Sequence, residues 1–132
     1  MQKVYLAGGH RSDWQFQVKN NVKALTYFDP KLKEEILFSQ GTSMTLEEYG
    51  TWDLHHIKQS DIVFVYAETD NPSCIGLAVE MGYAKGLGKT VILVLEPGHS
   101  TILDRYLKFL TKAADVTFDN LEDGINYLKY FK

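Results

Sequence analysis

Two hexapeptides constrain the fold of this chain more than anything else in it. DIVFVY (residues 61–66) and TVILVL (residues 90–95) are apolar or aromatic at every position after the first. A strand with one wet face alternates apolar and polar residues, whereas a strand without alternation is covered on both faces. VYLA (residues 4–7), closed by Gly8-Gly9, reads the same way. Between these runs lie segments with helical spacing of apolar residues. Covered strands alternating with helices predict an α/β fold. We expect a doubly wound, Rossmann- or flavodoxin-like parallel sheet of about five strands, with helices on both faces.

The expected helices span residues 13–25, 46–58, 74–86, 101–113 and 121–130. In the first, Trp14, Val18, Val22 and Leu25 share one face. The second opens on a capping box, Thr45 with Glu48. Residues 116–118 form a short edge strand. Residues 27–45 are the hardest to read: an Asp29-Pro30 turn, a charged KLKEE piece, a possible strand ILFS (residues 36–39) and a polar QGTSMT loop. At 132 residues, without repeats or linkers, the chain is expected to be one domain, residues 1–132.

The segment GYAKGLGKTVILVL contains GLGKT, but it is not a phosphate loop. That motif requires a glycine at the position of Tyr83 and a strand before it, whereas here the strand comes after. Gly86 and Gly88 instead end a helix and turn into a strand.

The net charge is −3, which argues against a binder of nucleic-acid polymers, since such binders normally show a basic face. No apolar run reaches eighteen residues, so no membrane helix is expected. The N-terminus lacks a signal-peptide pattern, and the single cysteine, Cys74, has no intrachain partner, so the expected setting is reducing and cytoplasmic. His55 and His56 are adjacent and point apart, and no Cys/His cluster has metal-ligand spacing, so neither metal nor organic cofactor is expected.

In open parallel sheets, ligands bind beyond the carboxyl ends of the strands. The loops to watch are therefore residues 8–13, 67–74 and 96–101. Gly8-Gly9 leaves space for a ligand or for a plain turn. GGHRSD lacks the spacing of a dinucleotide fingerprint. On the helix over 74–86, Leu77, Met81 and Ala84 form the stripe that packs on the sheet. Ser73, Gly76, Glu80 and Tyr83 form another. Glu80 is either a solvated surface carboxylate or a carboxylate in a pocket opened by Gly76. Asp53, near the end of the helix over 46–58, is a second carboxylate within reach of the strand ends. Asp61 is read as a cap. Two carboxylates in different environments suit glycosidic bond cleavage, one attacking the anomeric carbon and the other handling a proton.

Three segments, KVYLAGGHR, WDLHHIKQSDIVFVY and PSCIGLAVEMGYAKGLGKTVILVL, resemble the nucleoside 2-deoxyribosyltransferase family, which includes deoxynucleoside 5′-monophosphate N-glycosidases. The likeness runs over most of the chain except residues 27–45. It implies that Glu80 is the nucleophile toward C1′, that the Tyr5 hydroxyl holds its carboxylate, and that Asp53 delivers a proton to the leaving base. It implies that Gly8, Gly9 and the following loop, with His10 and Arg11, line the base pocket. Ser73 or Cys74, with Gly76, lies where family members contact the 5′ end of the sugar. Asp104 stands where monophosphate hydrolases of the family often carry a phosphate-contacting serine from a neighbouring subunit, so nucleosides are expected over monophosphates. The loop HRSDW does not follow a pattern of the family, although Arg11 and Ser12 are able to bind an anion. The likeness further implies a homodimer or higher oligomer that takes a small nucleoside or nucleotide and transfers the sugar to another base or to water. The alternative is a non-catalytic nucleotide-binding or signalling module on the same fold.

Overall fold

The computed structural model describes residues 1–71, 73 and 75–132. Five strands, β1 (Lys3–Gly8), β2 (Thr26–Phe28), β3 (Ile62–Ala67), β4 (Thr90–Leu95) and β5 (Val116–Phe118), form one sheet in the order β2-β1-β3-β4-β5. Every pairing is parallel. The helices are α1 (Trp14–Asn21), α2 (Pro30–Ser39), α3 (Leu46–Lys58), α4 (Ile75–Gly86), α5 (Thr101–Leu107) and α6 (Leu121–Leu128).

Period-two alternation divides the buried strand residues between two cores. Tyr5, Ala7, Val63, Val65, Val91 and Leu93 face one side with Ile57 of α3 and Leu77, Met81 and Ala84 of α4. Val4, Leu6, Ile62, Phe64, Ile92 and Val94 face the other, with Trp14 and Val18 of α1 and Ile125 and Leu128 of α6. The expected stripe Leu77, Met81, Ala84 is therefore the one that packs on the sheet. The strand order reverses between β1 and β3, the crevice where such sheets bind ligands.

The doubly wound parallel fold is as expected, with three differences in detail. ILFS is not a strand but the end of α2. Asp29 caps that helix, its side chain accepting from the Leu32 amide at 3.3 Å, and Pro30 occupies the first turn. The helix then runs on through ILFS, leaving Ile36 and Phe38 42% and 76% exposed. The second strand is instead TYF, three residues too short to show a period. Helix α1 stops at Asn21, and Val22 and Leu25 reach the core from the chain beyond it. The expected helices over 101–113 and 121–130 each finish as 3₁₀ turns, Lys108–Ala113 and Lys129–Phe131. The capping box at Thr45 and Glu48 forms as read. Gly88, with φ of 74°, turns the chain from α4 into β4, in keeping with the rejection of a phosphate loop.

Candidate active site

Tyr5 lies on β1, the strand at the switch point, and its side chain points to the face covered by α3 and α4. There its hydroxyl donates to Oε2 of Glu80 at 2.5 Å. Glu80 follows Leu77 on α4, so the packing stripe of the helix turns the carboxylate along the sheet toward Tyr5. Ahead of it by one turn, Gly76 leaves open space: a Cβ there would have no heavy atom within 4 Å.

Asp53 approaches from α3. That helix is pinned to β2 by aromatic stacking, with Phe28 lying parallel to His56 at 3.7 Å between ring centroids and Trp52 meeting Phe28 edge-on at 5.1 Å. Phe28 also stacks on Tyr5 at 5.7 Å. One aromatic column thus fixes the distance between the helix carrying Asp53 and the strand carrying Tyr5. Among the described residues, Oδ1 of Asp53 is buried without a hydrogen-bond partner, as is Nδ1 of His56. Burial, with the charges of His55, Lys3 and Lys33, lowers the pKa of His56 and favours its neutral ring.

The electrostatics of the carboxylate pair follow from this burial. Desolvation pushes Glu80 up to about 7, the Tyr5 hydrogen bond pulling the other way and the charge of Asp53 adding to the rise. Desolvation pushes Asp53 up to about 6, against the Tyr5 hydroxyl and with the charge of Glu34. Two interacting carboxyls titrate as a pair, so near neutral pH the two hold one proton between them, with the Tyr5 hydroxyl opposing protonation of both. Tyr5 is held neutral, chiefly by burial and then by the two carboxylates. Such a pair offers a nucleophilic oxygen and an acid proton at one place.

The loops around the switch point are tied to each other. A Cβ on Gly9 would lie 2.1 Å from Oδ1 of Asn71, and one on Gly8 would lie 2.6 Å from the Tyr66 carbonyl oxygen. The space left by these glycines is taken up by the chain itself. Asn71 Oδ1 accepts from the Arg11 amide at 3.0 Å, and its Nδ2 donates to Glu68 at 2.9 Å. Ser12 Oγ donates to the same Glu68 oxygen at 2.8 Å. The Gly9 carbonyl accepts from the side chains of Trp14 and Gln15. His10 Nδ1 reaches Glu34 of α2 at 3.3 Å.

Tyr5, Asp53 and Glu80 are thus brought to one place, with Gly76 beside them. Gly8 ends β1, and Gly9, His10 and Arg11 lie on the loop that follows it. Ser73 is half-buried just before α4, and Cys74 lies outside the described residues. Asp104 sits on α5 in an ion pair with Lys108 at 3.1 Å. Asp61 accepts from the Lys3 amide at 2.8 Å, a structural role. Among the described residues no group of His, Cys, Asp and Glu could hold a metal ion, and no helix is long and apolar enough to cross a membrane.

Two residues of this region were not evident from the sequence. Glu34 and Tyr49 line a cavity of about 350 Å³ between α2 and α3, together with Leu37, Phe38 and Met44. Tyr49 precedes Asp53 by one helical turn, a spacing visible in the sequence. Glu34 lies in the segment that gave no clear element.

A protein-family model described as nucleoside 2-deoxyribosyltransferase like matches residues 1–97. A search of curated proteins finds no match. Among solved structures, a 2-deoxyribosyltransferase of Bacillus psychrosaccharolyticus is 27% identical with a TM-score of 0.66, covering 95% of this chain and 91% of that one. A Leishmania mexicana 2-deoxyribosyltransferase is 20% identical with a TM-score of 0.66, covering 98% of both chains. A Clostridium botulinum CMP N-glycosidase is 13% identical with a TM-score of 0.61, covering 99% of this chain and 100% of that one. The last two share the fold. With the family model spanning most of its length, from the first strand through β4, this chain belongs to the nucleoside 2-deoxyribosyltransferase-like family.

Proposed function

We propose that this protein is an enzyme that cleaves the N-glycosidic bond of deoxynucleosides or their monophosphates and passes the sugar to another nucleobase or to water. The observation that carries the reading is the Tyr5–Glu80 hydrogen bond on the side of the sheet from which α3 presents Asp53. Family membership and the Bacillus 2-deoxyribosyltransferase support it.

In this reading an oxygen of Glu80 attacks C1′. The C1′–N bond breaks, its electron pair moves to the base, and Asp53 gives that base its proton. The product of this half is a glutamyl–sugar ester. In the second half an acceptor base or water attacks C1′, the ester C–O bond returns its electron pair to Glu80, and Asp53 recovers a proton from the acceptor. Two inversions give net retention. No cofactor enters either half. The end of β1 and the loop after it, with Gly8, Gly9, His10 and Arg11, border the base, and Ser73 and Gly76 border the sugar.

We further read the active form as a homo-oligomer in a cytoplasmic setting. An apolar groove of about 410 Å³ between α4 and α5 is lined by Ile75, Val79, Leu103 and Tyr106. Ile75 and Tyr106 are 81% and 69% exposed. Exposed apolar area on this scale suits a partner surface, and a second copy would sit against the helix that carries Glu80. Sedimentation velocity should give a dimer or larger species that Tyr106→Glu breaks; a wild-type monomer at micromolar concentration overturns this part.

The central test is incubation with a panel of deoxynucleosides and monophosphates, with and without an acceptor base, followed by chromatography. Base release or exchange is expected. A 2-fluoro-substituted nucleoside should then add the mass of its sugar to the peptide carrying Glu80. Binding without product from any substrate would favour a nucleotide-binding module, and an adduct on another residue would reject the role of Glu80.

A further inference from the structure

In the reading above, different segments meet the two halves of a nucleoside. The loop after β1 borders the base. The chain that runs from the end of β3 into α4 borders the sugar and leads to Glu80. Attack at C1′ while the base departs needs both halves held in one geometry, so the two segments have to keep a fixed spacing.

One side chain spans them. Asn71, on the segment after β3, is 3% exposed. Its Oδ1 accepts from the Arg11 amide at 3.0 Å, 60 positions away on the loop after β1. Its Nδ2 donates to Oε1 of Glu68 at 2.9 Å. The same Glu68 oxygen accepts from Ser12 Oγ at 2.8 Å, which closes the circuit back to the first loop. A backbone N–H on one side and a carboxylate on the other fix which end of the amide faces which. Gly9 permits the approach, since a Cβ there would lie 2.1 Å from Oδ1 and 2.5 Å from the carbonyl oxygen of Asn71. Trp14 and Gln15 hold the Gly9 carbonyl from α1, but that helix continues the first loop and does not reach the second. Among the described residues, every hydrogen bond between the two loops passes through Asn71 or Glu68. Neither residue takes part in a step of the reaction.

We propose that Asn71 is a positioning residue, clamping the loop that borders the base to the segment that leads into the helix of Glu80, so that base and sugar are bound at one spacing. The clamp is a matter of geometry; its purpose rests on the glycosidic reading above. A nucleoside touches both segments and gains from their preorganisation, whereas a free base touches only one. Loss of the clamp should therefore weaken the nucleoside and spare the base.

Affinities are measured in the Glu80→Gln protein, with 2′-deoxyadenosine, 2′-deoxycytidine and their free bases as probes. Adding Asn71→Ala should weaken nucleoside binding about tenfold and change base binding less than about twofold. Asn71→Asp keeps the acceptor for the Arg11 amide but sets a second carboxylate against Glu68, and should weaken the nucleoside similarly. Combining it with Glu68→Gln exchanges donor and acceptor, leaves an oxygen for Ser12, and should return the nucleoside to within about threefold of the parent. Equal losses for nucleoside and base, or a double substitution no better than Asn71→Asp, would mean that Asn71 serves only the fold and would overturn the proposal. Hydrogen exchange of the Arg11 amide reads the clamp without any ligand. It should quicken about tenfold or more in Asn71→Ala and return to the parent rate in Asn71→Asp with Glu68→Gln. If the parent binds no nucleoside, the glycosidic reading fails, and the Arg11 amide still decides whether Asn71 ties the loops: a rate unchanged by Asn71→Ala overturns the clamp.

Discussion

The hydroxyl of Tyr5 and Oε2 of Glu80 lie 2.5 Å apart, although the two residues are separated by 75 positions in the chain. Register does this work: Tyr5 pairs with Val63 across β1 and β3, and Val63 belongs to the same core as Leu77 and Met81 of α4. The bond serves the anion of Glu80. Tyr5→Phe should retain the fold, since Phe keeps the stacking on Phe28. A hydrogen bond to a charged group contributes about 1.5–3 kcal/mol, so kcat should fall roughly ten- to a hundredfold. Without the donor the Glu80 pKa rises further, and the acid limb of the rate profile should move to higher pH. A profile superimposable on that of the wild type would separate Tyr5 from the chemistry.

Asp53→Asn removes the proton donor and leaves the shape. With an ordinary nucleoside the rate should drop by about 10² to 10⁴. With 7-methyl-2′-deoxyguanosine, whose base already carries a positive charge, most of the loss should disappear. Equal losses on the two substrates would assign Asp53 to binding instead.

The wild-type pH profile should be bell-shaped, because the active form holds one proton between the two carboxyls. Its shoulders follow from the pair, with Asp53 raised to about 6 and Glu80 to about 7. Activity should fall below this range as Glu80 protonates and above it as Asp53 ionises. A sigmoidal profile with one limb would show that only one carboxyl matters.

The same shift has a sign in stability. The folded state binds the Glu80 proton more tightly than the unfolded chain, so this contribution is fully present below the unfolded value of 4.5 and is lost as pH rises through about 7. Glu80→Gln has no charge to bury. Relative to wild type it should gain on the order of 1–3 kcal/mol between pH 5 and pH 8. Denaturant midpoints at the two pH values check this, and a constant difference would contradict it.

Nucleosides should be better substrates than 5′-monophosphates. Ser12 was a possible anion ligand, yet its hydroxyl donates to Glu68, which also holds Asn71. A phosphate approaching that loop meets a carboxylate, at an unfavourable energy on the order of a few kcal/mol near contact. A higher kcat/KM for the monophosphate would overturn this expectation.

The sheet was legible because unbroken apolar runs leave few alternatives, and their odd and even positions divide between the two cores without exception from residues 4 to 7, 62 to 66 and 91 to 94. Glu80 was visible as a carboxylate interrupting an apolar helix, and Asp53 as its complement. Their meeting was not visible from periodicity, since it depends on pairing between distant strands; the family likeness supplied the pairing and Tyr5. β2 was hidden because three residues carry no period, and ILFS misled because its β propensity yields to a capped helix already under way. Glu34 was invisible for the same reason: without α2 there was no face on which to put it.

Helix α3 carries Tyr49, Asp53 and His56 at intervals of four and three, and it starts at a hydrogen-bonded cap, Thr45 with Glu48. At about 100° per residue such a helix is an angular ruler. Its zero is set at the cap, so Asp53 keeps its bearing however many residues are gained or lost upstream of position 45. One residue inserted between Thr45 and Asp53 would swing the carboxyl a quarter-turn or more away from Glu80. The chain can therefore vary in length through α2 and the loop after it, remodelling the wall beside the site without turning the acid out of register.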